Sequence, residues 1–286
     1  MHKYRINILI LSIVFALFLG LFTKTFASDF PKYNPKAKNI KPGFYGINDS
    51  KYVHNIYDTL ELKDSRLLII GGGSLSDNKA NIEIFNPKTF KFSKTSKPVY
   101  NHYFGYGSAV LDDGKVLIMA DNDKKGEERV FFFETYDPKK NMYDDTVYSI
   151  NGDCSGGIYK NKDGNAIVYC REYTDNFDEK TKSIEIVETM NIYNYQKKRF
   201  EKKLYPKDKD YINSIEFAKL NLKKEPLHLQ GSVYVKIPNK NMLLIMGVDI
   251  PEEITNATTL EEVYNCRDLN TRDIMSKKAY IFVYEK

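Results

Sequence analysis

The chain has 286 residues, 43 of them Lys or Arg against 38 Asp or Glu, with 42% hydrophobic and 14% aromatic residues and no Trp. That is enough apolar material for a core, which excludes a disordered, collagen-like or disulfide-dense mini-protein and leaves room for one or two domains. The first 27 residues carry Lys3, Arg5 and Lys24 and no acid, so the remainder holds 40 basic against 38 acidic residues. A balance so near neutral offers no basic stripe for nucleic acid.

Residues 1–5 are short and basic, 6–22 are apolar apart from Asn7, Ser12 and Gly20, and Thr25-Phe26-Ala27 puts small residues where a signal peptidase reads. This order predicts a signal peptide over 1–27, cleaved after Ala27, and a secreted, periplasmic or cell-surface protein. The apolar run is near the roughly 20 residues that span a bilayer, so an uncleaved anchor stays open as the one membrane contact. Residues 28–53 read as a polar, Pro- and Gly-punctuated leader that orders only by docking.

The body is built on a repeat. The segment Asp64-Ser65-Arg66-Leu67-Leu68-Ile69-Ile70-Gly71 matches segments starting at Asp113, Asp163 and Asn239, at spacings of 49, 50 and 76 residues. Each is a polar turn and then a short apolar strand, with Asp-Gly in the second and third copies predicting two-residue hairpins. Another apolar strand precedes each turn, at 56–62, 108–111, 157–159 and 231–237. An aromatic-ended strand comes after, at 81–85, 130–136, 184–193 and 279–284. Phe85-Asn86-Pro87 and Tyr136-Asp137-Pro138 then turn the chain into outer strands near 90–92 and 142–148.

Four antiparallel strands with two apolar faces need neighbours on both sides, and radial stacking into a β-propeller supplies them. Gly71-Gly72-Gly73 after the second strand and the downstream Tyr136 resemble kelch-type repeats. The resemblance runs from about residue 56 to the end of the sequence. Only the first unit keeps the glycines, the second having Ala120-Asp121 and the third Cys170-Arg171, and the family's later Trp is replaced. Phe92 and Tyr143 are expected in that packing role, as core.

The fold class expected is therefore all-β: a kelch-like β-propeller of about four recognisable four-stranded blades over 54–286, with insertions at 199–227 and 248–278. The last repeat stops after its third strand, so Phe44-Tyr45-Gly46-Ile47 from the leader is expected to supply its outer strand and close the propeller. Kelch-like domains commonly have six or seven blades. A small four-bladed ring, an irregular fifth blade within the first insertion and an incomplete ring completed by a partner all stay open. In the second insertion, Thr258-Thr259-Leu260-Glu261 is a capping-box pattern ahead of a short helix toward Tyr264.

Several chemistries are excluded. Gly71-Gly72-Gly73 leads into a strand rather than a helix that could hold a pyrophosphate. Asp121-Asn122-Asp123-Lys124-Lys125-Gly126 starts like a calcium loop, but Lys125 and Phe132 fall where oxygen ligands are needed. Neighbouring carboxylates such as Asp144-Asp145 point apart, and no Gly-x-Ser-x-Gly elbow is present.

One constellation survives. His54, His102 and His228 precede the repeat turns at offsets of 12, 13 and 13 residues from Arg66, Lys115 and Asn241, and Cys154 lies 11 before Asn165. On equivalent entry loops, these four side chains are candidate ligands for zinc or copper. With Tyr100 and Tyr103 nearby, the site would resemble the galactose-oxidase-like enzymes in geometry alone, and purely structural histidines are the competing reading. Of the three cysteines, Cys154 and Cys170 are the expected disulfide, although setting Lys162 opposite Asn165 would place Cys170 across from Gly157. If that disulfide forms, Cys154 is no ligand.

The function expected is a non-catalytic binding module for a protein or glycan, with His54, Tyr100, Asn101, His102, Tyr103 and His228 as candidate contacts. A metal-dependent or sugar-processing enzyme built on the histidines is the alternative.

Overall fold

The structure, a computed structural model, describes residues 30–52, 58–71, 82–100, 102, 107–121, 130–144, 146, 148–154, 158–161, 163–178, 183–204, 234–266 and 277–285. The expected signal segment, 1–27, lies outside the described residues. The fold is predominantly β, in antiparallel sheets. Strand β1 (Gly43–Gly46) belongs to the last sheet. The first sheet is β2 (Asp58–Glu61), β3 (Leu67–Ile70), β4 (Ile82–Asn86) and β5 (Lys91–Lys94), paired in chain order. The second is β6 (Ser108–Val110), β7 (Val116–Asp121) and β8 (Val130–Asp137), whose outer edge is shared by β9 (Met142–Tyr143) and β10 (Tyr148–Asp153). The third is β11 (Ile158–Lys160), β12 (Ala166–Asp178), β13 (Ser183–Asn194) and β14 (Arg199–Leu204), and because β10 pairs with β12 as well as with β8 the second and third are joined as one nine-stranded sheet. The fourth is β15 (Tyr234–Lys236), β16 (Met242–Met246) and β17 (Ala279–Val283), with β1 outermost.

Phe44 thus pairs with Phe282 and Gly46 with Tyr280, the outer-strand role expected for residues 44–47. The leader docks ahead of it: Tyr33 donates its amide to Gly46 O, and Phe30 packs on Phe44 and Tyr280. The first insertion is corrected at its start. Arg199–Leu204 is the outer strand of the third sheet, paired with β13, so an insertion can begin only beyond Leu204. The charged residues of this strand suit the outermost position it holds among the described strands.

Local chemistry explains the repeated turns. After the first strands, Leu62, Leu111 and Asn161 pair with Arg66, Lys115 and Asn165 around three-residue loops, rather than the two-residue hairpins expected. The last loop residue is left-handed each time, Ser65 at φ 67°, Gly114 at 88° and Gly164 at 80°, where glycine is least strained. In the fourth sheet Ile237 pairs with Met242, one residue further, so the fourth repeat is displaced by one position from the sequence alignment. After the third strands, Asn86, Asp137 and Asn194 side chains accept backbone amides two residues on. These Asx turns aim the chain into the outer strand.

The sheets stack face to face. Leu68, Ile70, Ile82 and Ile84 of the first meet Val116, Ile118 and Tyr136 of the second. Leu117, Met119, Phe131 and Phe133 on the second sheet's other face meet Ala166, Val168, Cys170 and Tyr193 of the third. Leu67, Ile69, Phe85 and Phe92 meet Leu244, Met246, Ile281 and Val283 of the fourth. First strands β2, β6 and β11 lie side by side, so the sheets fan out from their inner edges.

The far face of the fourth sheet, Leu243, Ile245, Tyr280 and Phe282, is covered by residues 248–266. That segment holds a 3-10 turn, Glu252–Ile254, and α1, Leu260–Tyr264, and contributes Val248, Ile250, Ile254, Val263 and Cys266. The expected helix is present, but its cap is Thr259 with Glu262, one residue later than the pattern suggested. Because this insertion occupies the face that a ring of four sheets would turn toward the third, no closed propeller is formed among the described residues. No hydrophobic cluster there joins the third sheet to the fourth.

Candidate functional site at the loop end

Second and third strands of every sheet connect at the end opposite the three-residue turns, and the first strands enter from that same end. Buried polar groups gather near it. In the second sheet Glu134, opposite Ile118, is fully buried. Its Oε2 accepts the Val99 amide at 2.8 Å, and its Oε1 accepts the Tyr100 amide at 2.9 Å. In the first sheet Glu83, opposite Ile69, is also fully buried and accepts the Lys51 amide at 2.8 Å. Asn191 and Tyr280 hold the same place in the third and fourth sheets. One polar position in each third strand therefore recurs, and in two sheets a carboxylate there fixes the backbone that leads into the first strand.

His102 completes the clamp. Its Nδ1 lies 3.2 Å from Met119 O and its Nε2 2.8 Å from Glu134 Oε1, with both side chains wholly buried. A carbonyl only accepts, so Nδ1 donates to Met119 O, and the hydrogen bond between Nε2 and Glu134 Oε1 takes up the other ring nitrogen. Both ring nitrogens are thus committed within the chain, and His102 is corrected from candidate metal ligand to structural anchor.

Cys154 is corrected in the same way, because its sulfur is bonded to Cys170. Gly152 and Asp153 of β10 pair with Glu172 and Arg171, whereas Ile158 of β11 pairs with Val168. Carrying the β10 register one residue further sets Cys154 opposite Cys170, whereas the β11 register would not, so the slippage between the two strands returns Cys154 to Cys170. His54, Asn101, Tyr103 and His228 lie outside the described residues. Among the described residues no group of three or more His, Cys, Asp and Glu side chains could hold a metal ion.

Tyr100 is placed at a surface. Its ring stacks on Phe132 at 4.0 Å with 8° between planes, and the adjacent Val99 side chain is 63% exposed. The segment's backbone is clamped from beneath while its apolar side chains face outward. Among its described residues this arrangement has no free nucleophile or base; what it can do is present a fixed surface. Sequence reading does not single out Glu134 and Glu83. Their signal is a lone acid inside an otherwise apolar strand, Ile82-Glu83-Ile84 and Phe133-Glu134-Thr135, recurring at one repeat position.

Other polar contacts run both between sheets and within them. Ser108 donates to Asp58, joining β6 to β2, and Lys160 pairs with Asp112 at 2.6 Å, joining β11 to the turn between β6 and β7. Glu172 accepts from Thr189 and Asn191 within the third sheet. No protein-family model matches the chain, and no curated protein matches it.

Proposed function

We propose that the protein is a non-catalytic binding module that holds a protein or a glycan at the loop end of its sheets. Preorganisation carries this reading: Val99 and Tyr100 are locked by Glu134 and His102, while Val99 and the Tyr100–Phe132 pair stay accessible. A rigid aromatic and aliphatic patch loses little entropy on binding. The kelch-like relationship, with sheets fanned from their inner edges, belongs to the same reading, as does export directed by residues 1–27. Nucleic acid is not among the partners, and membrane contact is confined to an uncleaved N-terminal segment.

The test is a glycan array and a panel of extracellular proteins probed with the whole chain, each hit repeated with Val99→Asp and Tyr100→Ala. Binding that weakens by about tenfold or more in both variants supports the patch. Turnover of a sugar or glycan by the purified protein, or binding unchanged in both variants, overturns it.

A further inference from the structure

We propose that His102 and Glu134 form a proton-held latch on Val99 and Tyr100, closed while the pair keeps its shared proton and released as the pH rises. The inference rests on the binding-patch reading and adds its regulation. Nδ1 is fixed as a donor to Met119 O, so the bond between Nε2 and Glu134 Oε1 exists only while one further proton lies between them. Without it, a nitrogen lone pair faces a carboxylate oxygen and a buried negative charge has lost its positive partner. Glu134 is the same group that holds the Val99 and Tyr100 amides, so a disturbance at the imidazole reaches the exposed segment through one carboxylate.

Among the described residues, the imidazole is held by groups from two strands beside the clamped segment. Glu134 comes from β8, the Met119 carbonyl from β7 and Tyr100 from the clamped segment itself. Tyr143 of β9 also feels the Glu134 charge; burial holds its phenol far above its ordinary range, the Thr95 side chain works against that, and the Glu134 charge adds to it. It therefore stays neutral across the pH range of the test below.

Amide hydrogen exchange of the full chain tests this without any partner, so its outcome is separate from that of the binding screen. Rates are read from about pH 5 to about pH 9, spanning the range of a free imidazole, and divided by the unprotected rates at each pH. Protection at Val99 and Tyr100 is expected to fall by about tenfold or more as the pH rises, while β3 amides keep theirs. In His102→Gln, which donates at every pH, protection at both amides should be flat. Should that variant fail to fold, Glu134→Gln serves, and its protection should no longer fall with rising pH. Flat protection in the wild type, or the same fall in the variants, overturns the latch.

Discussion

The ring of Phe44 lies 4.7 Å from that of Phe282, so a residue ahead of the first sheet packs against the third strand of the last. The same pairing of third and outer strands recurs as Phe85–Phe92 at 5.0 Å, Tyr136–Tyr143 at 4.9 Å and Tyr193–Phe200 at 5.4 Å. One aromatic pair per sheet thus anchors the outer strand. The fourth sheet obtains its pair by taking β1 from the other end of the described chain.

Phe44→Ala should therefore damage more than a local contact. Truncating a buried Phe costs about 3–5 kcal/mol, and here it also removes the anchor of β1. Urea unfolding should show that loss, with early exchange of the β1 and β17 amides. A change below about 1 kcal/mol, within the range of ordinary surface substitutions, would show that β1 is held by other means.

The disulfide makes a separate prediction. Denatured without reductant, the protein should show one reactive thiol, Cys266, and after reduction it should show all three of its cysteines. Replacing Cys154 and Cys170 together by Ala should lower stability by about 2–4 kcal/mol, because the bond closes a short loop between the second and third sheets.

Gly152 is where β10 leaves β8 for β12. At φ +135°, a Cβ there would stand 2.1 Å from Arg171 O and 2.7 Å from Glu172 Cα, both backbone atoms. Gly152→Ala should cost more than about 2 kcal/mol and loosen the junction of the two sheets. Calorimetry with exchange at Asp153 would read both effects.

Acid should weaken the edge of the second sheet. Burial works against ionisation of Asp144, but hydrogen bonds from Lys115 and Thr135 outweigh it and hold its carboxyl below the usual range. A carboxyl depressed in the folded state adds stability above its unfolded value, near pH 4, and loses it as the pH falls through the folded value. The pair is partly exposed, so the contribution is under about 1 kcal/mol after solvent screening. Stability curves of the wild type and Asp144→Asn should converge in acid and separate above about pH 4. Parallel curves would contradict the assignment.

Much of the frame was legible because its signals are local. The polar turn before each apolar strand, the Asx turns and the helix near Leu260 arise from side chains acting within a few residues, whereas the outer-strand role of residues 44–47 followed from a last repeat that lacks its fourth strand. What was hidden depended on register. A turn one residue longer at 238–241 displaced the fourth repeat, and Arg199–Leu204 looked like a charged loop because it is an edge strand with Phe200 directed inward. Slippage between β10 and β11 along β12 decided the disulfide. At the loop end, His102 is an anchor and not a ligand. Its meaning lay in Glu134, which reads in one dimension as an ordinary solvent-facing acid and is fully buried in three.

On the proposed function, a partner engages the clamped loop end and not the turn end. The most direct measurement is the affinity of a partner from the screen for the wild type, for Val99→Asp at the loop end and for Lys139→Glu in the turn after β8. A loss of about tenfold or more confined to Val99→Asp is expected, each tenfold being about 1.4 kcal/mol. Equal affinity for all three proteins, or a loss confined to Lys139→Glu, would contradict it.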